Sequence, residues 1–317
     1  MNSKNNLYKY FLLFIAAFLW GSTFVAQSVG MDYIGPFTYS GVRNIIGAMF
    51  LVPVVLIINA IQRKKGIVPM DENGKEIEPR QYLKNTVIGG ICCGVVLCCA
   101  SNLQQCSMVY VSAGKAGFIT AMYVVLVPIC GIFLKKKLPI SVWIAVVIAV
   151  VGLYMLCIKS GDFSIGKGEL LLLLCAFGFT GHILVIDHFV VRANPVLMSC
   201  IQFFVNGIIS SVLMFVFEEP VLENILAASG SILYAAILSS GVAYTLQIVG
   251  QKGTNPTIAS IIMCLESVIS VLSGWLYLHD RLTGREIIGC ILMFAAILIS
   301  QIPVKTKKSS EVPKEVQ

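Results

Sequence analysis

A single carboxylate, Glu266, stands in the apolar stretch IIMCLESVIS at residues 261–270. A carboxylate in hydrocarbon surroundings can exchange a proton or hold a cation, and packing alone does not require one. Other polar groups are scattered through similar stretches. His182 can relay protons near neutral pH, or serve as a donor between helices. Arg43 can offer a fixed cation to an anionic ligand, or snorkel to an interface. Tyr123, Trp20, Asn206, Gln104, Gln247 and Ser270 can supply hydrogen bonds and aromatic walls to a ligand, or contacts between helices. No nucleophile stands beside a base here, so the chemistry on offer is binding and proton exchange. Cys92, Cys93, Cys98 and Cys99 cluster in GGICCGVVLCCAS. No His stands at ligand spacing from them, so they read as small apolar helix residues, with no metal and no cofactor expected. No GxxxxGK[ST] loop is present, which disfavours ATP-driven chemistry by this chain.

The elements that carry these residues follow from composition. Of 317 residues, 57% are hydrophobic and 12% charged, and the mean hydropathy is +0.86. Soluble domains are about 25% charged. The net charge of +7 is held mostly in short gaps between apolar runs. That is the pattern of membrane topology and argues against a nucleic-acid-binding face. About 20 apolar residues cross a bilayer as a helix. Ten such runs are read, at 8–28, 37–59, 85–107, 112–134, 139–158, 168–189, 195–217, 229–250, 255–278 and 283–302. The first continues beyond a short signal-peptide core and is read as a helix that is retained. Residues 60–84 are polar and read as an exposed loop.

Charge orients the runs. With the N-terminus cytoplasmic, seventeen Lys and Arg fall on the cytoplasmic side, against Lys159, Lys167, Arg281 and Arg285 opposite. This asymmetry predicts both termini inside a plasma membrane, with 303–317 as a basic cytoplasmic tail. Two sequence offsets reveal a repeat. A shift of 159 lays Leu12, Leu13, Ala17, Phe18, Pro36 and Ser40 on Leu171, Leu172, Ala176, Phe177, Pro195 and Ser199. A shift of 143 lays Leu103, Gln104 and Ala116 on Leu246, Gln247 and Ala259. Two halves of five helices each, 1–158 and 159–302, must lie in opposite orientations. The expected fold is therefore an all-α integral membrane protein with two inverted-topology repeats and a site near the midplane between them.

Depth selects the site. At about 1.5 Å per residue, Glu266 lies about 16 Å into its run, near the middle of a core about 30 Å thick. Trp20, Tyr123, His182 and Asn206 lie at similar depth, and Tyr123 and Glu266 are equivalent under the repeat. Along the ninth run Ser270, Ser273 and Gly274 extend a small, polar stripe from Glu266. This reads either as a packing face or as part of the site.

Three stretches carry a family resemblance: FLWGSTF at 18–24, AGFITAMYVVLVPICGIFL at 116–134 and ESVISVLSGWLYLHDRL at 266–282. Over nearly its whole length the chain resembles the EamA-type transporters of the drug/metabolite transporter superfamily. Ser267 stands where the second half of that family usually has Pro. His279-Asp280-Arg281-Leu282 and Lys135-Lys136-Lys137-Leu138 replace its Gly-Glu-Arg-Leu elements. The resemblance implies export or exchange of small solutes such as amino acids, nucleotide-type metabolites or toxic compounds. The reading is a secondary transporter and not an enzyme. Its partners are a small-molecule substrate and the lipid bilayer, with a proton or counter-ion as coupling partner and a homodimer left open. Rival readings are a membrane-embedded enzyme or lipid-handling protein, and a passive channel or receptor.

Overall fold

A chain that must satisfy its backbone without water has helices as its simplest solution. The computed structural model describes residues 3–66, 68–70, 75–111, 113–133, 138–157, 166–277 and 283–300. Lys135, Lys136, Lys137, the 279–282 element and the 303–317 tail lie outside them. The described residues are helical apart from turns and an isolated bridge between Met70 and Glu76.

In chain order the helices are α1 (Ser3–Met31), α2 (Pro36–Lys64), α3 (Pro79–Ser107), α4 (Ala113–Thr120), α5 (Tyr123–Phe133), α6 (Ile140–Cys157) and α7 (Lys167–Phe189). After a 3-10 turn (Val190–Arg192) come α8 (Pro195–Phe217), the short α9 (Leu222–Ala227) and α10 (Ser229–Tyr234). A π-helix (Ala235–Ala243) leads into α11 (Tyr244–Gln251), followed by α12 (Pro256–Met263), α13 (Leu265–Tyr277) and α14 (Gly284–Ser300). Among the described residues, seven helical stretches are long and apolar enough to cross a membrane. Three shorter apolar helices, Tyr123–Phe133, Ile140–Met155 and Ile287–Ser300, occupy the remaining expected runs.

The sequence reading differs from the structure in three places. The 60–84 loop is shorter than expected, because α2 runs on to Lys64 and α3 starts at Pro79. The expected helices 112–134 and 255–278 are each broken in the middle, at Ala121–Met122 and at Cys264. At these breaks the backbone ladder tightens. Met122 N bonds Ile119 O, Val124 N bonds Ala121 O at 3.0 Å, and Ser267 N bonds Cys264 O at 3.1 Å. The two breaks cross. Cys264 Sγ donates to Ala121 O at 3.6 Å and Ser267 Oγ to Gly117 O at 3.3 Å. Side chains of the second broken helix thus donate to backbone carbonyls at and just before the break in the first, the kind of contact that makes interrupted helices tolerable at depth.

Packing is densest between elements related by the repeat, α2 with α8 and α6 with α14, while α1 lies along α12 and α13. Gly21 permits that last approach: a Cβ there would stand 2.5 Å from Glu266 O and from Ile269 Cβ. Gly47 does the same for α2 on the π-helix, where a Cβ would lie 2.7 Å from Ser240 Cβ. Both α2 and α8 begin with proline at the first helical position, whose missing N–H costs nothing there. Their caps differ. Asn194 caps α8 from its own chain neighbourhood, accepting from Val196 N and Leu197 N. For α2 the cap comes from the end of α8. Glu218 accepts from Phe37 N at 2.9 Å, and from Thr38 N at 2.8 Å and Thr38 Oγ1 at 2.6 Å.

Candidate functional site

The crossing of the two broken helices forms one side of a cavity of about 40 Å³. Around it stand Trp20, Phe24 and Gln27 from α1, Arg43 from α2, Gln104 from α3, Thr120 from α4 and Tyr123 from α5. Phe179 and Ile183 of α7, Ser239 of the π-helix, Tyr244 and Gln247 of α11, Met263 of α12 and Glu266 of α13 complete the lining. Tyr123 and Glu266 are the first or second residues after their breaks, so each break presents its side chain to the cavity. The Tyr123 hydroxyl donates to Glu266 Oε1 at 3.1 Å.

The lining repeats. Trp20 and Phe179 are related by the 159 offset, as are Phe24 and Ile183; Gln104 and Gln247, Thr120 and Met263, and Tyr123 and Glu266 are related by 143. Ten of the fourteen lining residues therefore form five pairs.

Charge and hydrogen-bond capacity are uneven. The Arg43 guanidinium donates through Nη1 to Gln27 Oε1 at 2.8 Å and lies 5.5 Å from the Tyr39 ring. Arg43 is 4% and Glu266 6% exposed, and the two face the same space through different partners. Among the described residues, Arg43 Nε, Trp20 Nε1 and Gln247 Oε1 are buried with no hydrogen-bond partner. Buried polar groups are rarely left so, and here they border the cavity. The arrangement can hold an anionic group near Arg43 and a cationic one near Glu266. Trp20 and Tyr244, in edge contact at 4.6 Å between ring centroids, form an aromatic wall.

Six of the nine residues singled out from sequence line this cavity: Trp20, Arg43, Gln104, Tyr123, Gln247 and Glu266. Three do not. His182 stands behind Tyr244, its Nε2 3.0 Å from Gln202 Oε1. Asn206 belongs to an interhelical network, donating to Ser101 Oγ at 3.2 Å and accepting from Ser210 Oγ at 3.0 Å. Ser270 is buried on α13 outside the lining. Phe24, Gln27, Thr120, Phe179, Ile183, Ser239, Tyr244 and Met263 were not anticipated. Applying the offsets to Trp20 would have found Phe179. Ser239 and Tyr244 depend on the π-helix, which shifts the facing of side chains and leaves no clear trace in sequence.

Near the end of the bundle where α1 begins, burial and the neighbouring Lys9 ammonium push the Lys252 amine below its ordinary value. There Gly250 fits against Leu13 and the backbone of Lys9, closing α1 onto α11.

A helical bundle with several apolar segments long enough to cross a bilayer, and a polar cavity at crossed broken helices, has the build of a membrane transporter. The chain belongs to the EamA-like transporter family, matching it at residues 7–158 and again at 166–301. It is 30% identical over 296 residues to an uncharacterized transporter of Archaeoglobus fulgidus, covering 92% of this chain and 85% of that one. It is 26% identical to the uncharacterized transporter YoaV of Bacillus subtilis, covering 92% and 95%. A solved crystal structure shares the fold with a TM-score of 0.74 at 16% identity, covering 92% of this chain and 96% of the other. The chain is thus a multi-pass membrane protein of a transporter family, and the family points away from an enzyme.

Proposed function

We propose that this protein is a secondary transporter that exports a small metabolite, an amino acid or related solute carrying both charges. Ten spans form two inverted five-helix repeats, 1–158 and 159–302, that rock about the central cavity in the plasma membrane, with both termini cytoplasmic. One observation carries the reading: residues paired by the repeat offsets surround one cavity, to which Arg43 adds a cation and Glu266 an anion. A zwitterion satisfies both charges and the unpartnered Trp20 Nε1, Arg43 Nε and Gln247 Oε1. Glu266 is the group that takes up a proton or the substrate's cation in turn, coupling flux to the proton gradient.

A thermal-shift screen of metabolites on purified protein, followed by flux of the hits in proteoliposomes with and without a pH gradient, tests this. Saturable flux that the gradient accelerates is expected in wild type, and Glu266→Gln should abolish the acceleration. PH-dependent flux in Glu266→Gln equal to wild type overturns the coupling. Flux that rises linearly with concentration indicates a channel.

A further inference from the structure

A second concavity, an open groove of about 420 Å³, lies near the start of α1. It is lined by Asp187, His188 and Arg192 on one side and by the turn 253–256 on the other. Gly253, in that turn, sits against Lys9 Nζ.

The groove and the central cavity lie in series. On α7, Ile183 lines the cavity, and Asp187, four residues on, lines the groove. On α11, Gln247 lines the cavity. Gln251 follows four residues later on the same face, and Thr254 lines the groove beyond it. Residues four apart on a helix share a face. Since α7 and α11 touch, one seam carries both concavities, separated by about one helical turn, or about 5.4 Å. Gln251 occupies that layer. It is 1% exposed, and neither its amide nitrogen nor its oxygen has a partner among the described residues. Ile186 and Ile248 pack together close by, both fully buried. Leaving a buried amide unbonded is unfavourable, and opening the layer to water or solute removes that cost. The two concavities also match in charge: Arg43 and Glu266 line one, Arg192 and Asp187 the other.

We infer that the groove is a docking site for the same doubly charged small solute, and that Gln251 is the gate between it and the central cavity. The inference rests on the transporter reading. The solute meets Asp187 and Arg192 first, then passes Gln251 as α11 moves away from α7, the amide exchanging hydrogen bonds with it in transit.

The test uses Gln251→Leu, Asp187→Asn and Gln251→Cys in the full chain, in oriented proteoliposomes, with a radiolabelled mixture of amino acids as probe. Gln251→Leu should melt at a higher temperature than wild type and retain binding of the mixture, yet lose flux by tenfold or more. Asp187→Asn should raise the half-saturating concentration severalfold for solute presented at the groove, with the opposite face unchanged. Wild-type flux in Gln251→Leu, or an equal change at both faces in Asp187→Asn, overturns the gate. Where wild type carries none of the mixture, the proposed cargo fails and labelling decides the gate. A membrane-impermeant maleimide should reach Gln251→Cys from the groove face, read by mass spectrometry of the peptide containing position 251. No label from that face, or label only from the other, overturns the proposal.

Discussion

The two halves of this chain build matching walls and unmatched charges. Trp20 corresponds to Phe179 under the repeat, Phe24 to Ile183, and Gln104 to Gln247, and all six line the cavity. At the functional extremes the halves part. Glu266 stands where the first half has Tyr123, and Arg43 stands where the second half has Gln202, which bonds His182 away from the cavity. The scaffold needs similarity only where helices must cross and break; the doubly charged ligand proposed above would need a direction, and charge would supply it. A symmetric lining would present a zwitterion with two equivalent poses, whereas one cation and one anion on different halves favour a single one.

Making the halves alike should therefore remove function before it removes the fold. The largest effect is expected from Arg43→Gln, which gives the first half the residue of the second. Losing one member of a buried charged contact costs about 2 kcal/mol or more, a factor of about 30 in affinity. Substrate competition in proteoliposomes would show it, and an unchanged KM would mean that the cavity does not read charge through Arg43. Next comes Gly21→Ala, against Thr180→Ala at the position related by 159. The new Cβ at 21 meets Glu266 O, so a destabilisation of about 1–3 kcal/mol is expected. Among the described residues Thr180 bonds within its own helix, to Ala176 O, and its loss should cost less. Melting temperatures in detergent compare the two.

The paired amides should separate in kind. Gln104 donates to Thr120 Oγ1 at 3.2 Å, so Gln104→Leu should lower stability by about 1 kcal/mol. Gln247 has an unbonded oxygen, so Gln247→Leu should leave the melting temperature unchanged or higher while weakening substrate binding severalfold. Equal losses of stability in both would show that Gln247 is structural. The smallest effect is expected for Trp20→Phe, which copies Phe179. It keeps a ring beside Tyr244 and deletes one unpartnered donor, so KM should rise by about fivefold or less, with stability nearly unchanged.

These comparisons also show what the sequence disclosed. Apolar runs and turn residues placed the helices, because hydrocarbon leaves the backbone few alternatives. Depth brought Trp20, Tyr123 and Glu266 to one level. Depth does not fix the face of a helix, however, and His182 and Asn206 share the level while pointing into interhelical contacts. The breaks at Ala121–Met122 and Cys264 were hidden for another reason. No proline or glycine stands at either position, and the bond that ties the two breaks together, from Cys264 Sγ to Ala121 O, spans 143 residues. Such a feature belongs to the tertiary structure and has no local signal.

The cap on α2 has a consequence in time. Its carboxylate, Glu218, lies 180 residues after Thr38 in the chain. At about 5–20 residues per second of synthesis, the first turn of α2 waits roughly 9–36 seconds for the group that completes it. During that interval the unpaired amides of Phe37 and Thr38 must be served by water or lipid headgroups at the bilayer surface. The nascent first half thus carries an unfinished helix end that only the arriving second half can close, so maturation of the early helices is tied to late translation.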